Sequence, residues 1–391
     1  MQGGVGDFTR EVGLALSRLG AEVSVISSIK ASQPSGTLAL SGEGVVLERN
    51  RLRLTLYPVV ERWDFSCWSQ IVGVLKRTMP EILNIQYQTA AYQMHPAINL
   101  LPWRLRYGGE RPKVLVTLHD LKVPYLFPKA GAVRRWVTRA LMKGSEATIV
   151  TNVEDRMEAE RYGVRNLHMY PIGSNIEPQA PPGYEREEWR RRWGVGPGET
   201  LLCYFGFLNE SKGGETLFRA LAQLVHSGSR VKLLMIGGRV GSSDPTNAAY
   251  LLKMENLIQE LDVQDRVLWT GYVDGKEVSA NFWASDVCVL PYRDGVSFRR
   301  GTLMAALAHG LPIVSTYPRV QVDEIVEHEN MALVPADDAE ALAGKIAIVA
   351  SSSQVRQRLA RGAAELSKSF SWKAIAEDTM RLYRRILEQS K

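Results

Sequence analysis

The sequence predicts an α/β protein built from two parallel-sheet domains, and three observations carry that expectation. Strand-like apolar runs alternate with helical patterns along the whole chain, the signature of crossover connections between parallel strands. A charged, Trp-bearing stretch, Tyr184–Thr200, ends in Gly194-Val195-Gly196-Pro197-Gly198 and marks a change of composition near the middle. The length of 391 residues suits two domains of about 150 to 200 residues each.

In the first half the predicted strands are Val23–Ile26, Leu52–Tyr57, Ile82–Tyr87, Val114–Leu118 and Thr148–Thr151. In the second half they are Leu201–Phe205, Leu233–Ile236, Val267–Thr270, Val287–Leu290 and Ile313–Thr316. Ahead of all of them, Gly3-Gly4-Val5-Gly6-Asp7 leads straight into a helix. That helix carries Phe8, Val12, Ala15, Leu16 and Leu19 on one face and stops at Gly20. A glycine-rich entry to a first helix normally follows a strand, and in a doubly wound sheet that strand is central. The expectation is therefore an N-terminal domain lacking its first strand, with unpaired strands beside a gap and a chain that starts late.

Composition sets the class. With 45% hydrophobic and 23% charged residues there is apolar mass for two cores. A net charge of +6 favours an anionic partner, and a phosphorylated small molecule, an anionic membrane surface and nucleic acid all fit. Neither zinc-finger spacing nor a basic-aromatic RNA motif occurs, so no nucleic-acid partner is expected. Cys67, Cys203 and Cys288 lack metal-ligand or disulfide spacing, and the latter two lie in apolar runs as small hydrophobes. A reducing, cytoplasmic setting follows. No apolar run is long enough to span a bilayer, and no secretory leader is expected. The segment Val133–Lys143 places basic and apolar groups on a helix beside Trp136. It reads first as a helix packed on its own sheet with a solvated basic face; peripheral contact with an anionic inner membrane face stays open.

Two segments of the second half suit an anion. From Asp294 to Thr316 the chain runs through an Asp-Gly turn, Ser297-Phe298-Arg299-Arg300-Gly301, and an apolar helix, Thr302 to His309. Gly310-Leu311-Pro312-Ile313-Val314 follows. Main-chain N–H groups at a helix start have no intrahelical partner and the dipole there is positive, which suits a diphosphate. Two arginines at the mouth of a buried helix cost desolvation energy unless something negative meets them. The bland alternative is a solvated turn. In Phe205–Gly214, glycines and Lys212 connect a strand to a helix, again suited to a phosphate although such loops are often mere connections.

These segments resemble GT-B glycosyltransferases of the large retaining group called family 4. The likeness runs through Gly206–Gly213, Met235-Ile236-Gly237-Gly238, Trp269–Val273, Trp283–Pro291, Ala306–Val314 and Glu329–Pro335 with Asp338–Leu342. It includes Gly3–Thr9, Thr117-Leu118-His119-Asp120 and the closing Phe370-Ser371-Trp372. The resemblance implies two Rossmann-like domains facing across a cleft. Domain 1–180, completed by a C-terminal helix 372–391, would hold the acceptor, and domain 181–371 the nucleotide diphosphate sugar. It implies metal-independent, retaining transfer to a glycan or lipid-linked acceptor in polysaccharide or glycolipid assembly. No cofactor is expected beyond the nucleotide-sugar co-substrate, and no metal motif is placed.

Residue by residue, the resemblance gives Lys212 the leaving-group role and puts His119 against the donor sugar. Asp120 either orients that histidine or caps the turn. Gly4, Gly206, Phe207, Gly238 and Tyr272 fall at donor positions, Tyr272 by the nucleotide base or as a filler of space. Two departures stand out. Phe207 occupies the place of an arginine, and Ser297 and Ala305 occupy those of the paired glutamates, so the glutamate contacts do not carry over. We expect charge relocation: Arg299 and Arg300 take the diphosphate, and Asp294 or Ser297 the sugar or ribose hydroxyls, with Phe298 and Gly301 alongside. His119, Lys212 and Arg300 are the expected catalytic groups. Polar and aromatic residues after another strand, Tyr87, Gln88 and His95, together with Asp120, are expected acceptor contacts. The rival reading is a catalytically inactive nucleotide-sugar binder or partner protein of the same fold; an epimerase or phosphorylase of GT-B type ranks below both.

Overall fold

The computed structural model describes residues 4–29, 44–49, 52–108, 112–121, 131–238 and 245–389. Met1–Gly3, and with them the expectation about the start of the chain, lie outside the described residues. The chain divides into two compact units, Met1–Gly173 with Trp372–Lys391, and Ser174–Ser371. The first break precedes the expected position at 180.

The first unit runs α1 (Gly4–Arg18), β1 (Ser24–Ser28), β2 (Val45–Arg49), β3 (Leu52–Val60), α2 (Cys67–Thr78) and β4 (Ile82–Gln88). It continues with α3 (Ala97–Tyr107), β5 (Lys113–Asp120), α4 (Gly131–Gly144), β6 (Ala147–Val150), α5 (Val153–Arg161) and β7 (Leu167–Met169). Its strands fall into two sheets, β1-β3-β2 and β4-β5-β6-β7, parallel except for the β2–β3 pair. The expected discontinuity is thus present among the described residues, with β1 and β4 as terminal strands of separate sheets. The apolar stripe of α1 buries Phe8, Val12, Ala15 and Leu16 against Ile375 and Ala376 of the C-terminal helix, Trp372–Glu388. Tyr383 of that helix reaches the sheet, where Asn84 Nδ2 donates to its hydroxyl at 2.8 Å.

The basic segment forms α4. Val137, Leu141 and Met142 are buried while Trp136 is 62% exposed, so one face packs and the basic face is outward. The indole of Trp103 on α3 donates to the Ala140 carbonyl at 2.8 Å and pins the two helices together. No helix among the described residues is long and apolar enough to cross a membrane.

The second unit contains α6 (Arg186–Arg192), β8 (Thr200–Phe205), α7 (Gly214–His226), β9 (Val231–Ile236), α8 (Pro245–Glu260) and β10 (Val267–Trp269). Then come α9 (Gly275–Ala284), β11 (Val287–Leu290), α10 (Gly301–Ala308), β12 (Ile313–Thr316), β13 (Ala332–Val334), α11 (Ala339–Ser351) and α12 (Ser353–Lys368). The six strands are parallel in the order β10-β9-β8-β11-β12-β13. From β8 the chain steps outward to β9 and β10; from β11 it steps the other way to β12 and β13. The loops after β8 and β11 therefore leave in opposite directions and open a crevice at the carboxyl edge, the switch point where open α/β sheets bind ligands.

Inside this unit, α6 is tied down by a buried guanidinium. Arg190 Nη1 donates to the Ala284 carbonyl at 2.8 Å and to Asp286 Oδ2 at 3.0 Å, and Nη2 donates to the Glu199 carbonyl at 2.7 Å. Asp286 Oδ1 also accepts from Arg186 at 2.6 Å. The sequence marks this stretch only as charged; the structure makes it the anchor of the helix that opens the unit.

Candidate functional site

Both anion-suited segments emerge at the switch point. After β8 the chain turns at Gly206, whose φ of 111° lies in a region that side chains rarely adopt. A short 3₁₀ turn, Glu210–Lys212, and Gly213 then lead into α7. A Cβ on Gly213 would sit 1.8 Å from the Pro291 carbonyl oxygen at the end of β11, so only glycine lets the two loops touch. Arg293 bridges them further. Its amide donates to the Ser211 carbonyl at 3.0 Å, and its side chain meets Glu210 at 2.8 Å and Asp337 at 2.9 Å.

Lys212 curls back so that Nζ donates to the Phe207 carbonyl at 2.8 Å, an oxygen that also accepts from the Tyr204 hydroxyl at 3.2 Å. A Cβ on Gly206 would meet Lys212 Nζ at 3.2 Å and Thr302 Cγ2 at 2.7 Å, which places the ammonium beside the start of α10. Burial, and then the neighbouring Arg300 charge, pull the Lys212 pKa down to about 8. Lys212 and Arg300 thus share one electrostatic neighbourhood.

Arg300 is the residue that caps α10. Its amide donates to the Ser297 carbonyl at 3.1 Å, and its guanidinium carbon lies 4.9 Å from the ring centre of buried Tyr292. The Tyr292 hydroxyl is 2.6 Å from Thr302 Oγ1, and the Tyr292 carbonyl accepts from Thr316 Oγ1 at 2.6 Å. Asp294 is engaged by both arginines. Arg299 Nη2 donates to Oδ2 at 2.8 Å and Arg300 Nη2 donates to Oδ1. Arg300 Nε is buried without a hydrogen-bond partner.

Two sequence expectations change here. Asp294 pairs with two guanidinium groups instead of standing open, so a hydroxyl contact would share its oxygens with them. The Phe298 ring is buried 4.4 Å from that of Phe370, so it packs apolar surface and leaves only its main chain for a donor. Ser297 is buried and acts through its carbonyl; Gly301 opens α10. Gly237, which precedes Gly238, donates to Thr270 Oγ1 at 3.0 Å and forms a bridge to Gly271. Beyond that bridge Tyr272 is 88% exposed, which excludes a space-filling role within this unit. Phe207 is also open, at 42%.

In the first unit, His119 stands one residue before the end of β5 with its ring edge-on to Phe8 at 4.6 Å. Its Nε2 lies 3.0 Å from Gln86 Oε1, an atom that only accepts, so the proton sits on Nε2. Burial depresses its pKa to about 4, which keeps the ring neutral at ordinary pH. Gly4 lies in the first turn of α1 with open space where a Cβ would be. A small recess is lined by Tyr87, Asn99, Asp120, Arg134, Arg135 and Tyr162, among others. Within it the buried Tyr87 hydroxyl accepts from Asn99 Nδ2 at 2.9 Å and from Thr89 Oγ1 at 3.4 Å. Tyr87 and Asp120 are thus brought together, but Gln88 and His95 are not among the lining side chains. His95 Nδ1 accepts from the Ala97 amide at 3.1 Å at the start of α3, and its ring packs edge-on to Phe65. Through Nδ1 it caps the start of α3.

Comparison with known proteins accounts for both units. Residues 185–366 match the family of Glycosyl transferases group 1, and residues 3–173 match the Glycosyl transferase 4-like domain. The chain belongs to the GT-B glycosyltransferases of the family 4 kind. It is 27% identical over 251 residues to a D-inositol 3-phosphate glycosyltransferase of Xylanimonas cellulosilytica, a match covering 62% of this chain and 58% of that one. The chain thus spans less than two thirds of the length of that relative. It is 26% identical over 297 residues to a phosphatidyl-myo-inositol mannosyltransferase of Mycobacterium leprae, covering 73% of this chain and 70% of the other. Among solved structures, the sucrose-phosphate synthase of Thermosynechococcus elongatus superposes with a TM-score of 0.73 at 23% identity, over 99% of this chain and 94% of that one. HepE of Anabaena, solved in complex with UDP, gives a TM-score of 0.67 at 18% identity, covering 82% of each chain.

Sequence reasoning missed several residues that shape this GT-B site. Tyr292 and Thr302 form the floor under Arg300, and Arg293 joins the two loops. Only the position of Tyr292 directly after the strand and proline of β11 hinted at it. The Arg293 contacts reach Glu210 and Asp337, distant in sequence, and no local pattern encodes them.

Proposed function

We propose that this chain transfers a glycosyl group from a nucleoside diphosphate sugar to an acceptor bearing a phosphate, without a metal ion and with retention of configuration. The observation that carries the donor half is the convergence of Lys212 and Arg300 beside Gly206 and Thr302 at the switch point. In such a transfer the bond from the anomeric carbon to the β-phosphate oxygen breaks as the acceptor hydroxyl oxygen bonds to that carbon, and the hydroxyl proton passes to the departing diphosphate. Negative charge builds on the departing diphosphate. Pre-placed cations in a water-poor crevice stabilise that charge more than that of the ground state. Gly206 lets the main chain approach the phosphates, and the free amides at the start of α10 add to the positive field. Tyr272 and Gly238 would border the base, with Phe207 close by, and neutral His119, whose one N–H goes to Gln86, would accept a hydrogen bond from a sugar hydroxyl through Nδ1.

The acceptor half rests on the recess of the first unit. Arg134 and Arg135 bring two cations to it, while Asp120 and the Tyr87 hydroxyl suit polyol hydroxyls. The names of the matched relatives, a D-inositol 3-phosphate glycosyltransferase and a phosphatidyl-myo-inositol mannosyltransferase, favour the same class. The work is placed in the cytoplasm, with the exposed Trp136 face of α4 available to the inner membrane surface if the acceptor is lipid-linked.

Lys212→Ala and Arg300→Ala test the donor half in a donor-hydrolysis or transfer assay. Each should lower kcat by about 10²- to 10³-fold, the cost of removing one group that stabilises developing charge. Wild-type rates in both variants refute the assignment. A second reading has its own support: buried Ser297 and Ala305 stand where family 4 proteins carry paired glutamates. That reading is a nucleotide-sugar binder without turnover, shown by calorimetric binding of a nucleoside diphosphate together with inactivity toward all donors.

A further inference from the structure

Asp294 closes its own site. Its two carboxylate oxygens are divided between two guanidinium groups, Oδ2 to Arg299 at 2.8 Å and Oδ1 to Arg300. The three side chains are only 13 to 16% exposed, so the pairing is largely shielded from water. The turn that presents the carboxylate is rigid. Gly295 has φ 79°, and a Cβ there would lie 2.5 Å from the Tyr317 carbonyl. The Val296 amide fastens the next residue to the Thr316 carbonyl at 3.3 Å.

We propose that the Asp294 carboxylate is an internal substitute for the donor's diphosphate, held between Arg299 and Arg300 in the free protein and exchanged for it on binding. The inference rests on the diphosphate reading above and adds what sets donor affinity. Arg300 beside Arg299 is a largely desolvated cation next to a like charge, which is costly without an anion. A tethered carboxylate removes that cost in the empty site. It competes with an incoming anion at the high effective concentration of an intramolecular group. It is also an incomplete match. It leaves Arg300 Nε buried without a partner, and it leaves Lys212 Nζ on a main-chain carbonyl. A diphosphate carries more oxygens and more charge, so it can satisfy the guanidinium groups and the ammonium together. Asp294 therefore admits ligands with enough charge to displace it and holds the arginines quiet otherwise.

The decisive variant is Asp294→Asn, with Asp294→Glu as the charge-retaining control, both studied as the full chain. Melting temperature should fall in the Asn variant without ligand, because the carboxylate charge that pairs with Arg300 and Arg299 is lost. The Kd for inorganic pyrophosphate and for nucleoside diphosphates, by calorimetry, should fall about tenfold or more. The Glu variant should stay within about threefold of wild type, since it keeps the competing charge. Unchanged or weaker binding in the Asn variant makes Asp294 a strut that holds the arginines for the ligand, and overturns the proposal. If neither wild type nor variant binds any diphosphate, the donor reading and this inference fall together; binding that ignores Asp294 sinks this inference alone. Should the Asn variant not fold, the carboxyl ¹³C signal of Asp294 in wild type gives the answer. It should move toward the value of a solvated carboxylate as pyrophosphate saturates the site, and a signal that stays put refutes the exchange.

Discussion

Raising the pH from about 7 to about 9 should weaken nucleoside diphosphate binding by removing one proton from Lys212. Burial and the adjacent Arg300 charge place its pKa at about 8 in the free protein. Roughly nine tenths of the chains then carry the ammonium at about pH 7 and roughly one tenth at about pH 9. If the charged form is the one that grips the diphosphate, Kd should rise about tenfold across that interval, or about 1.4 kcal/mol. A bound diphosphate pulls the pKa back up, so binding near pH 8 should take up about half a proton. Calorimetry in two buffers of different ionisation heat measures that uptake directly. Lys212→Arg, which stays charged, should flatten the pH dependence, and Lys212→Ala should lose affinity and dependence together. A wild-type Kd that is the same at both pH values, with no proton uptake, refutes the placement of Lys212 against the phosphates. Stability responds with the opposite sign. Because the folded pKa lies below the unfolded value of 10.5, the unfolded chain holds the extra proton between the two, and this residue's contribution to stability rises with pH from about 8 upward.

Gly213→Ala should destabilise the second unit by about 3 kcal/mol or more, read as a lowered denaturant midpoint, since φ is 72° and the new carbon would meet the Pro291 carbonyl. Arg190→Ala should cost about 3 kcal/mol in the same experiment, because it leaves the Ala284 and Glu199 carbonyls without their guanidinium donor and takes from Asp286 one of its two arginine partners. His119 should lower stability as pH falls from about 6.5 toward about 4, where the unfolded chain binds a proton that the buried ring refuses; His119→Gln should remove that slope in pH-dependent melting curves.

Most of the parallel strands of the second unit were readable because they are short apolar runs followed by glycine or proline, and buried parallel strands have no alternation to confuse the pattern; β13, only three residues long, was not expected. Strands outside that description were not. Val45–Arg49 ends in charged residues and pairs antiparallel at the edge of its sheet, and Leu167–Met169 is three residues long with a histidine at its centre. A break among the strands of the first unit was expected from its glycine-rich helix entry, and among the described residues β1 and β4 end separate sheets. At the site, glycines and cations showed where the phosphate loops are, but not which cation meets which anion. Asp294 stands five and six positions before its arginine partners in irregular chain, where no periodicity predicts facing side chains. His95 shows the same limit, because a polar ring after a strand reads equally as a ligand contact or as a helix cap, and the bond from the Ala97 amide is visible only in the structure.

The contact between Gly213 and Pro291 has a bearing on redesign. The spacing of the two loops is gauged by the absence of a single methyl group, so altering sugar or base preference cannot begin by remodelling that junction. Randomised libraries aimed at new donors should leave positions 213 and 291 fixed and place their diversity at Phe207 and Tyr272, whose side chains are open enough to accept any replacement without disturbing the gauge.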